Sequence, residues 1–503
     1  MSLITRASAY TIALWLLVPA SGWATTYAVG AARQYTSPCR LAAAVPLAAG
    51  DVIEIDPGTY TDACSLTTSG TAQAPIVMRG TAGGARPVFD ATGLDLSGSG
   101  SVPRAIFQFN NASYWLLEHL ELVHATNGSN NGAGFRLTAG AHDVTFRDMS
   151  IHDNQDGGMS DGPSVLTIET SEIFANGAND GQSHNLYLQG DVVRLVGNHI
   201  HDSHGGQNIK LRTRYVEIIG NFVENAGNYE LDLIQSTYSA MANANAVLIG
   251  NVFVRAVSAD NNSQTILFGT DNPADTTPSR NGALYAINNT FVMRNASNRL
   301  FHVLTSTPAP AATHIYLYNN IIHATVAGTQ LTVDATTSGY VSGTNNFITD
   351  GIAGVPTAVI STIAGATPGF VSATDWHLAA GSPAIDTGAA TPTYVDGTGT
   401  NQNGVPTLQP TPPIGAEPRY VVNAQIDLGA FEYGNVPPIG GDIVADDGGR
   451  GGGGGGKSGG CCSAGGRDAT GFLVLVGLVA AQLVRPRKPA TRLALPSAPA
   501  RCR

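Results

Sequence analysis

Charge is what this 503-residue sequence has least of, with only 13% Asp, Glu, Lys or Arg. What charge there is sums to −11 at pH 7, which argues against a nucleic-acid binder and leaves only a local basic patch to hold an anionic substrate. Lysine is scarcer still: Lys210 is the only one before the glycine run that holds Lys457. Cysteine is nearly missing from the body of the chain, since Cys39 and Cys64 are the only two before Cys461. Between residues 115 and 322 no stretch repeats its apolar residues at helical spacing, which argues against helices there. Glycine, by contrast, occurs 60 times. Gly, Asn, Ser and Thr crowd between short runs of strand formers, a composition that suits many short strands joined by many turns.

The two ends have patterns of their own. Arg6, an apolar stretch from Ala9 to Pro19 and the small-residue exit Ser21-Gly22-Trp23-Ala24 form a secretory signal, with cleavage expected after Ala24. Export implies an oxidising compartment, so Cys39 and Cys64 are expected to form a disulfide that staples the N-terminal cap to the first coil. Residues 435–460 form a Gly-rich linker, nearly pure glycine from Gly448 to Gly460. Cys461-Cys462, an apolar run from about Ala469 to Val484, and Arg485-Pro486-Arg487-Lys488 follow. The run is short of the roughly 20 residues of a spanning helix, but the basic cluster behind it fits a stop-transfer signal. This tail, 461–503, resembles the C-terminal sorting signals of bacterial surface proteins. That resemblance implies processing near Cys461 or Cys462, with a plain tail anchor as the alternative. A monomer held by a membrane anchor at the bacterial cell envelope or surface is expected.

The middle of the chain repeats itself. LLEHLEL (116–122), VTFRDMSI (144–151), LTIETSEI (166–173), VRLVGNHI (193–200), VEIIGNFV (216–223), AVLIGNVF (246–253), YAINNTFV (285–292) and YLYNNIIH (316–323) align. In the last five an Asn recurs at one point (Asn198, Asn221, Asn251, Asn289 and Asn320), at intervals of 23, 30, 38 and 31 residues. Repeats of variable length suggest one solenoid turn each, with insertions in loops. A single-stranded right-handed parallel β-helix accounts for the Asn positions, because each coil must turn sharply at a corner. Asn tolerates left-handed backbone better than most residues, and stacked Asn side chains can bond from coil to coil. The asparagines are read as structural.

Ser37-Pro38 ahead of CRLAAAVPL predicts a short capping helix with Ser37 as N-cap and Pro38 at its first position, covering the open sheet edge. GDVIEIDPGTY (50–60) then starts the first coil. This opening resembles that of the pectate-lyase-like β-helix superfamily. Two later segments, DWHLAAGSPAIDTG (375–388) and DLGAFEYG (427–434), resemble the choice-of-anchor Q region found behind bacterial β-helices, which implies an extracellular, surface-attached protein. Residues 25–370 are accordingly read as the β-helix and 371–434 as its C-terminal end and cap.

HNLYLQ (184–189), QNIKLRT (207–213) and YELDLIQ (229–235) superpose as three consecutive coils. Alternation sends Leu186, Ile209 and Leu231 inward, and likewise Leu188, Leu211 and Leu233. The residues between them are expected to face outward as columns, Asn185–Asn208–Glu230 and Tyr187–Lys210–Asp232, with Gln189 and Arg212 beginning a third. Neighbouring coils stand about 4.8 Å apart and same-face residues of one strand about 6.7 Å apart. Lys210 stands out because a chain so biased to Arg places a Lys here, and Lys can lose its proton where Arg effectively cannot. Arg212, two residues along, would make that loss easier by repulsion.

A base beside a cation suits β-elimination on a uronic-acid polysaccharide. Lys210 would be the base, Arg212 the carboxylate neutraliser, and Tyr187, His184 or His204 the acid, with Asn185, Asn208, Glu230 and Asp232 binding substrate. The order HN-x-Y, then H…K-x-R, then Y-x-x-D resembles bacterial right-handed β-helix proteins related to polysaccharide lyases. β-Helix lyases of pectate and alginate type use Lys or Arg as base, which implies that role for Lys210. The resemblance is incomplete: the dense carboxylate cluster of a pectate-lyase calcium site is missing. Lys210 and Asp232 could instead form a plain cross-strand ion pair. Two other readings stay open: a polygalacturonase-type hydrolase, for which Glu230, Asp232 and Asp202 are the available carboxylates, and a non-catalytic surface protein that binds glycans or other cells. HDNQDGG (152–158) and SADNNSQ (258–264) could hold calcium through oxygen ligands, but plain turns have the same composition. His199, His201, Asp202 and His204 invite a metal, yet fall at the Asn turn where polar residues are expected. No metal site and no certain cofactor is assigned, calcium being left open.

Overall fold

The structure, a computed structural model, describes residues 24–138, 140–162, 164–258, 263–423 and 425–437. Residues 1–23 of the expected secretory signal, and residues 438–503 of the expected linker and tail, including Cys461 and Cys462, lie outside the described residues. Among the described residues no helix is long and apolar enough to cross a membrane.

The chain winds into a right-handed parallel β-helix whose coils each give one strand to three parallel sheets. The first sheet runs from Thr26–Val29 and Val52–Ile55 through Ile76–Gly80 and Trp115–Glu118 to Val341–Thr344 and Val359–Ile360. The second runs from Cys64–Leu66 through Ala105–Phe109, Ala133–Leu137 and Asp156–Ser160 to Gln330–Thr332. The third runs from Thr59–Tyr60 to Ile363–Gly365. In two successive coils the second and first sheets are joined by one 11-residue strand, Leu186–Val196 and Ile209–Ile219. Leu186, Ile209 and Leu231 pair in register, as do Leu188, Leu211 and Leu233. All six are fully buried, each contributing about 1.5–3 kcal/mol by leaving water.

The expected Asn ladder is present, with one more rung. Side chains link Asn198 to Asn221 (2.9 Å), Asn221 to Asn251 (3.0 Å), Asn251 to Asn289 (2.9 Å), Asn289 to Asn320 (3.1 Å) and Asn320 to Asn346 (2.9 Å). The backbone reason differs from the expectation. The left-handed residue is the one before each rung: Gly197, Gly220, Gly250, Asn288, Asn319 and Asn345. The rung itself is free to point inward and satisfy buried backbone carbonyls such as Leu195 O and Leu248 O.

The capping helix, α1, spans Pro38–Ala44, and the Ser37 hydroxyl accepts from the Arg40 N–H at 3.1 Å. Cys39 is disulfide-bonded to Cys64, at the start of the second sheet. Residues 371–434 add no further coil. They run back along the flank of the β-helix as loops and two hairpins, Thr393–Val395 with Asn401–Asn403 and Leu408–Pro410 with Ala416–Pro418. Asn288 and Asn345 donate to the carbonyls of Asp427 and Thr387. Trp376 and Phe431 pack on Val252, Val254 and Val292. A fully buried Arg419–Glu432 ion pair at 3.0 Å ties the segment together.

Candidate functional site

On the second sheet, Tyr187, Lys210 and Asp232 occupy one register position on three successive coils. Gln189 and Arg212 pair two positions along. Lys210 lies over the Tyr187 ring, its Nζ 5.9 Å from the centroid, and Arg212 lies at the same distance. Arg212 Nε donates to Tyr187 Oη at 3.0 Å, and another of its nitrogens donates to the Gln235 carbonyl at 2.6 Å. The phenol oxygen thus accepts, and its single proton is available for donation elsewhere.

A residue that sequence reasoning missed completes the group. Asp271 follows the strand Gln264–Gly269 on the next coil. Its Oδ2 lies 3.3 Å from Lys210 Nζ and 2.9 Å from Arg212. Gln235 clamps it, donating to Oδ1 at 2.8 Å and accepting from the Asp271 N–H at 3.0 Å. Burial would raise the Asp271 carboxyl, but the Gln235 hydrogen bond and the charges of Lys210 and Arg212 outweigh it and hold it below its usual value. One carboxylate oxygen is therefore gripped by both cations. Beside them a cleft of about 420 Å³ is lined by Tyr187, Gln189, Arg212, Gln235 and Asp275 among others.

Asp232 is not a surface ligand. It is fully buried beneath Lys210, with Oδ2 3.5 Å from Nζ and accepting from Gln207 at 3.2 Å. Burial first, and the nearby Asp271 charge, push its carboxyl up to about 6, against the opposing pull of Lys210 and Arg212.

The outward column of Asn185, Asn208 and Glu230 is overturned. All three are fully buried and form a second internal ladder, from Asn154 through Asn176, Asn185 and Asn208 to Glu230, at 3.0, 2.9, 2.8 and 2.7 Å. Glu230 closes that ladder on Arg255 at 3.1 Å. Alternation holds only along a strand, and these strands begin one residue later, at Leu186, Ile209 and Leu231. The three residues sit on the preceding corner, where the side chain turns in. They are withdrawn as substrate ligands.

His184 is withdrawn as the acid. It is 1% exposed, its Nδ1 accepts from the Gln207 N–H at 3.1 Å, and its ring meets Tyr187 edge-on. Burial, then the charges of Lys210 and Arg212, lower its pKa to about 3 against the pull of Asp180, so it is neutral near pH 7 and out of reach of a sugar. His204 is exposed, but among the described residues no hydrogen bond, ion pair or ring contact joins its side chain to the cluster. Its backbone instead bonds to Asn176 and Asn179.

The loop 152–158 does not fit calcium. Asp153 is paired with His152 at 2.7 Å, Asn154 belongs to the second ladder, and Asp156 is buried and accepts from the His184 N–H at 2.9 Å. The other loop, 258–264, falls largely outside the described residues.

The chain matches no family model and no curated protein. Among solved structures it is similar to pectate lyase Pel9A, with TM-score 0.51 and 17% identity over 82% of this chain and 97% of that one. It is also similar to a rhamnogalacturonan lyase (TM-score 0.40, 15% identity, 64% and 87%) and to an alginate lyase from Paenibacillus sp. str. FPU-7 (0.38, 16%, 67% and 99%). At such identities the first likeness speaks for fold alone, and the other two carry no argument. The chain has the pectate-lyase-like right-handed parallel β-helix fold.

Proposed function

We propose that this protein acts on polysaccharide, as a lyase that cleaves a uronic-acid glycan by β-elimination. One observation carries the reading: Asp271 Oδ2 is held by both Lys210 and Arg212, beside a phenol whose proton is free. Arg212 would hold the carboxylate of a uronate that displaced Asp271, with Lys210, once deprotonated, beside the neighbouring C–H. Arg212 would then neutralise the charge that spreads onto that carboxylate when the neighbouring C–H is broken. Lys210 Nζ takes the proton, the electron pair forms the carbon–carbon double bond, the glycosidic C–O bond breaks, and Tyr187 protonates the leaving oxygen. Lys210 must first shed a proton. Asp232, 3.5 Å from Nζ on the next coil and with its carboxyl raised, would accept it.

A second reading is favoured by a specific observation too. Lys210 between Asp232 and Asp271 is also what a purely structural ion-pair network would look like, on a face that binds glycan without cleaving it. The hydrolase alternative has no such support, because Glu230 and Asp232 are both buried. From the signal-like and anchor-like segments at its two ends, we further propose that the protein is exported and tethered at the cell envelope.

The test is product analysis on alginate, pectate and glycosaminoglycans beside Lys210→Ala. A lyase yields an unsaturated sugar end absorbing in the ultraviolet, which Lys210→Ala abolishes. Reducing ends without that absorbance would mean hydrolysis, and no products would mean binding only. Cleavage that survives Lys210→Ala removes the mechanism.

A further inference from the structure

The third sheet carries a different group of titratable side chains. Glu172 pairs in register with His199, and His201 lies two residues along the same strand, His199–His201. His201 Nε2 stands 3.4 Å from Glu172 Oε1, and His199 Nδ1 stands 3.8 Å from the same oxygen. One ligand atom from each of the three lies within 4.8 Å of the others.

The second nitrogen of each ring is taken by another carboxylate. His201 Nδ1 is 2.7 Å from Asp202 Oδ2, and His199 Nε2 is 3.3 Å from Glu224 Oε1. Each outer carboxylate stands nearer its ring than Glu172 does, at 2.7 against 3.4 Å for His201 and 3.3 against 3.8 Å for His199; with the ring protons on those outer nitrogens, the lone pairs of His199 Nδ1 and His201 Nε2 face Glu172. His199 is 8% exposed, and its Nδ1 has no hydrogen-bond partner among the described residues. Buried imidazole nitrogens are normally satisfied. A plain cluster of His–carboxylate pairs explains Asp202 and Glu224 but not this nitrogen.

We propose that Glu172, His199 and His201 bind a divalent cation of the zinc class. Two imidazoles and one carboxylate, with each imidazole backed by a further carboxylate, suit such an ion rather than calcium or magnesium. Ligand atoms about 2.1 Å from a tetrahedral ion lie roughly 3.4 Å apart. The separations from Glu172 are close to this, and the two rings, stacked 3.9 Å apart at 25°, would turn out of their stack for both lone pairs to meet one ion. Three protein ligands leave a coordination position open. His199 and Glu224 also line a cleft of about 410 Å³, across which stand Trp376, His377, Pro412 and Pro413 of the C-terminal segment. This inference is independent of the reaction proposed at Lys210.

The test uses the full chain without a polyhistidine tag, stripped with a chelator, dialysed and titrated with Zn²⁺ by calorimetry. One equivalent is expected to bind to the wild type. His199→Ala and Glu172→Gln should each weaken that binding at least about 100-fold, since each deletes a ligand, and Asp202→Asn about 10- to 100-fold, since it deletes a ligand's support. His204→Ala, three residues away on an exposed turn, should bind as the wild type does. Glu172 is only half-buried, so its variant reports even if His199→Ala does not fold. The proposal is overturned if the wild type shows no saturable Zn²⁺ binding. It is equally overturned if Glu172→Gln binds like the wild type, or if His204→Ala weakens binding as much as the ligand variants do.

Discussion

Acidification should destabilise this protein through His184, and the size of the effect follows from where the ring sits. His184 is buried and its pKa is lowered from 6.5 to about 3. Below pH 6.5 the unfolded chain binds a proton that the folded chain refuses, so stability present above pH 6.5 drains away as the pH falls toward 3. At about 1.4 kcal/mol per pH unit, this one group costs roughly 3 kcal/mol by pH 4.5. The substitution His184→Asn keeps an acceptor for the Gln207 N–H and removes the titration. Its fixed cost is the same at every pH, and all other groups titrate alike in both proteins. Urea unfolding of both at pH 7.5 and pH 4.5 reads the difference directly. The variant should gain roughly 3 kcal/mol on the wild type between the two pH values. A difference that stays flat would show that the folded protein accommodates a charged His184, and would undo the argument that this ring is neutral beneath the site.

Three further outcomes are expected. Asn251→Ala, in the middle of the first ladder, deletes the partner of both Asn221 Nδ2 and Asn289 Oδ1. It leaves buried polar groups short of a partner and should cost about 2–6 kcal/mol in urea unfolding at about 1–3 per group. Glu230→Gln weakens one charge-assisted hydrogen bond of the buried Arg255, and a loss of about 1.5–3 kcal/mol by the same measurement is expected. Reduction of the Cys39–Cys64 bond, which closes a loop of 25 residues, should lower stability by about 3 kcal/mol, read as a shift in the midpoint of a urea titration with and without reductant.

The solenoid was legible because its rules are local. Repeated Gly-Asn and Asn-Asn pairs mark the corner, period-2 leucines mark the core, and Ser37-Pro38 marks the helix start. Each of these is a property of a few adjacent residues. The candidate site was legible only along strand interiors, which is why Tyr187, Lys210, Arg212 and Asp232 share a face as alternation requires. Asn185, Asn208 and Glu230 escaped that rule by standing one residue outside their strands. Asp271 escaped it differently: it lies 61 residues from Lys210 on a loop, and no periodicity connects the two. The flank-hugging path of residues 371–434 was equally invisible, since irregular loops carry no period to reveal what they pack against.

The most direct test of the account is Lys210→Arg. Arginine keeps a cation between Asp232 and Asp271, so the folded protein and its affinity for an acidic glycan should survive, but a guanidinium holds its proton far more tightly than an ammonium, and proton abstraction in a site built around Lys210 should fall steeply. Wild-type binding with ultraviolet-absorbing product reduced at least about 100-fold, in line with the loss of a general base, is the predicted result. Product formation within a few-fold of the wild type would contradict it and leave Lys210 as a structural cation.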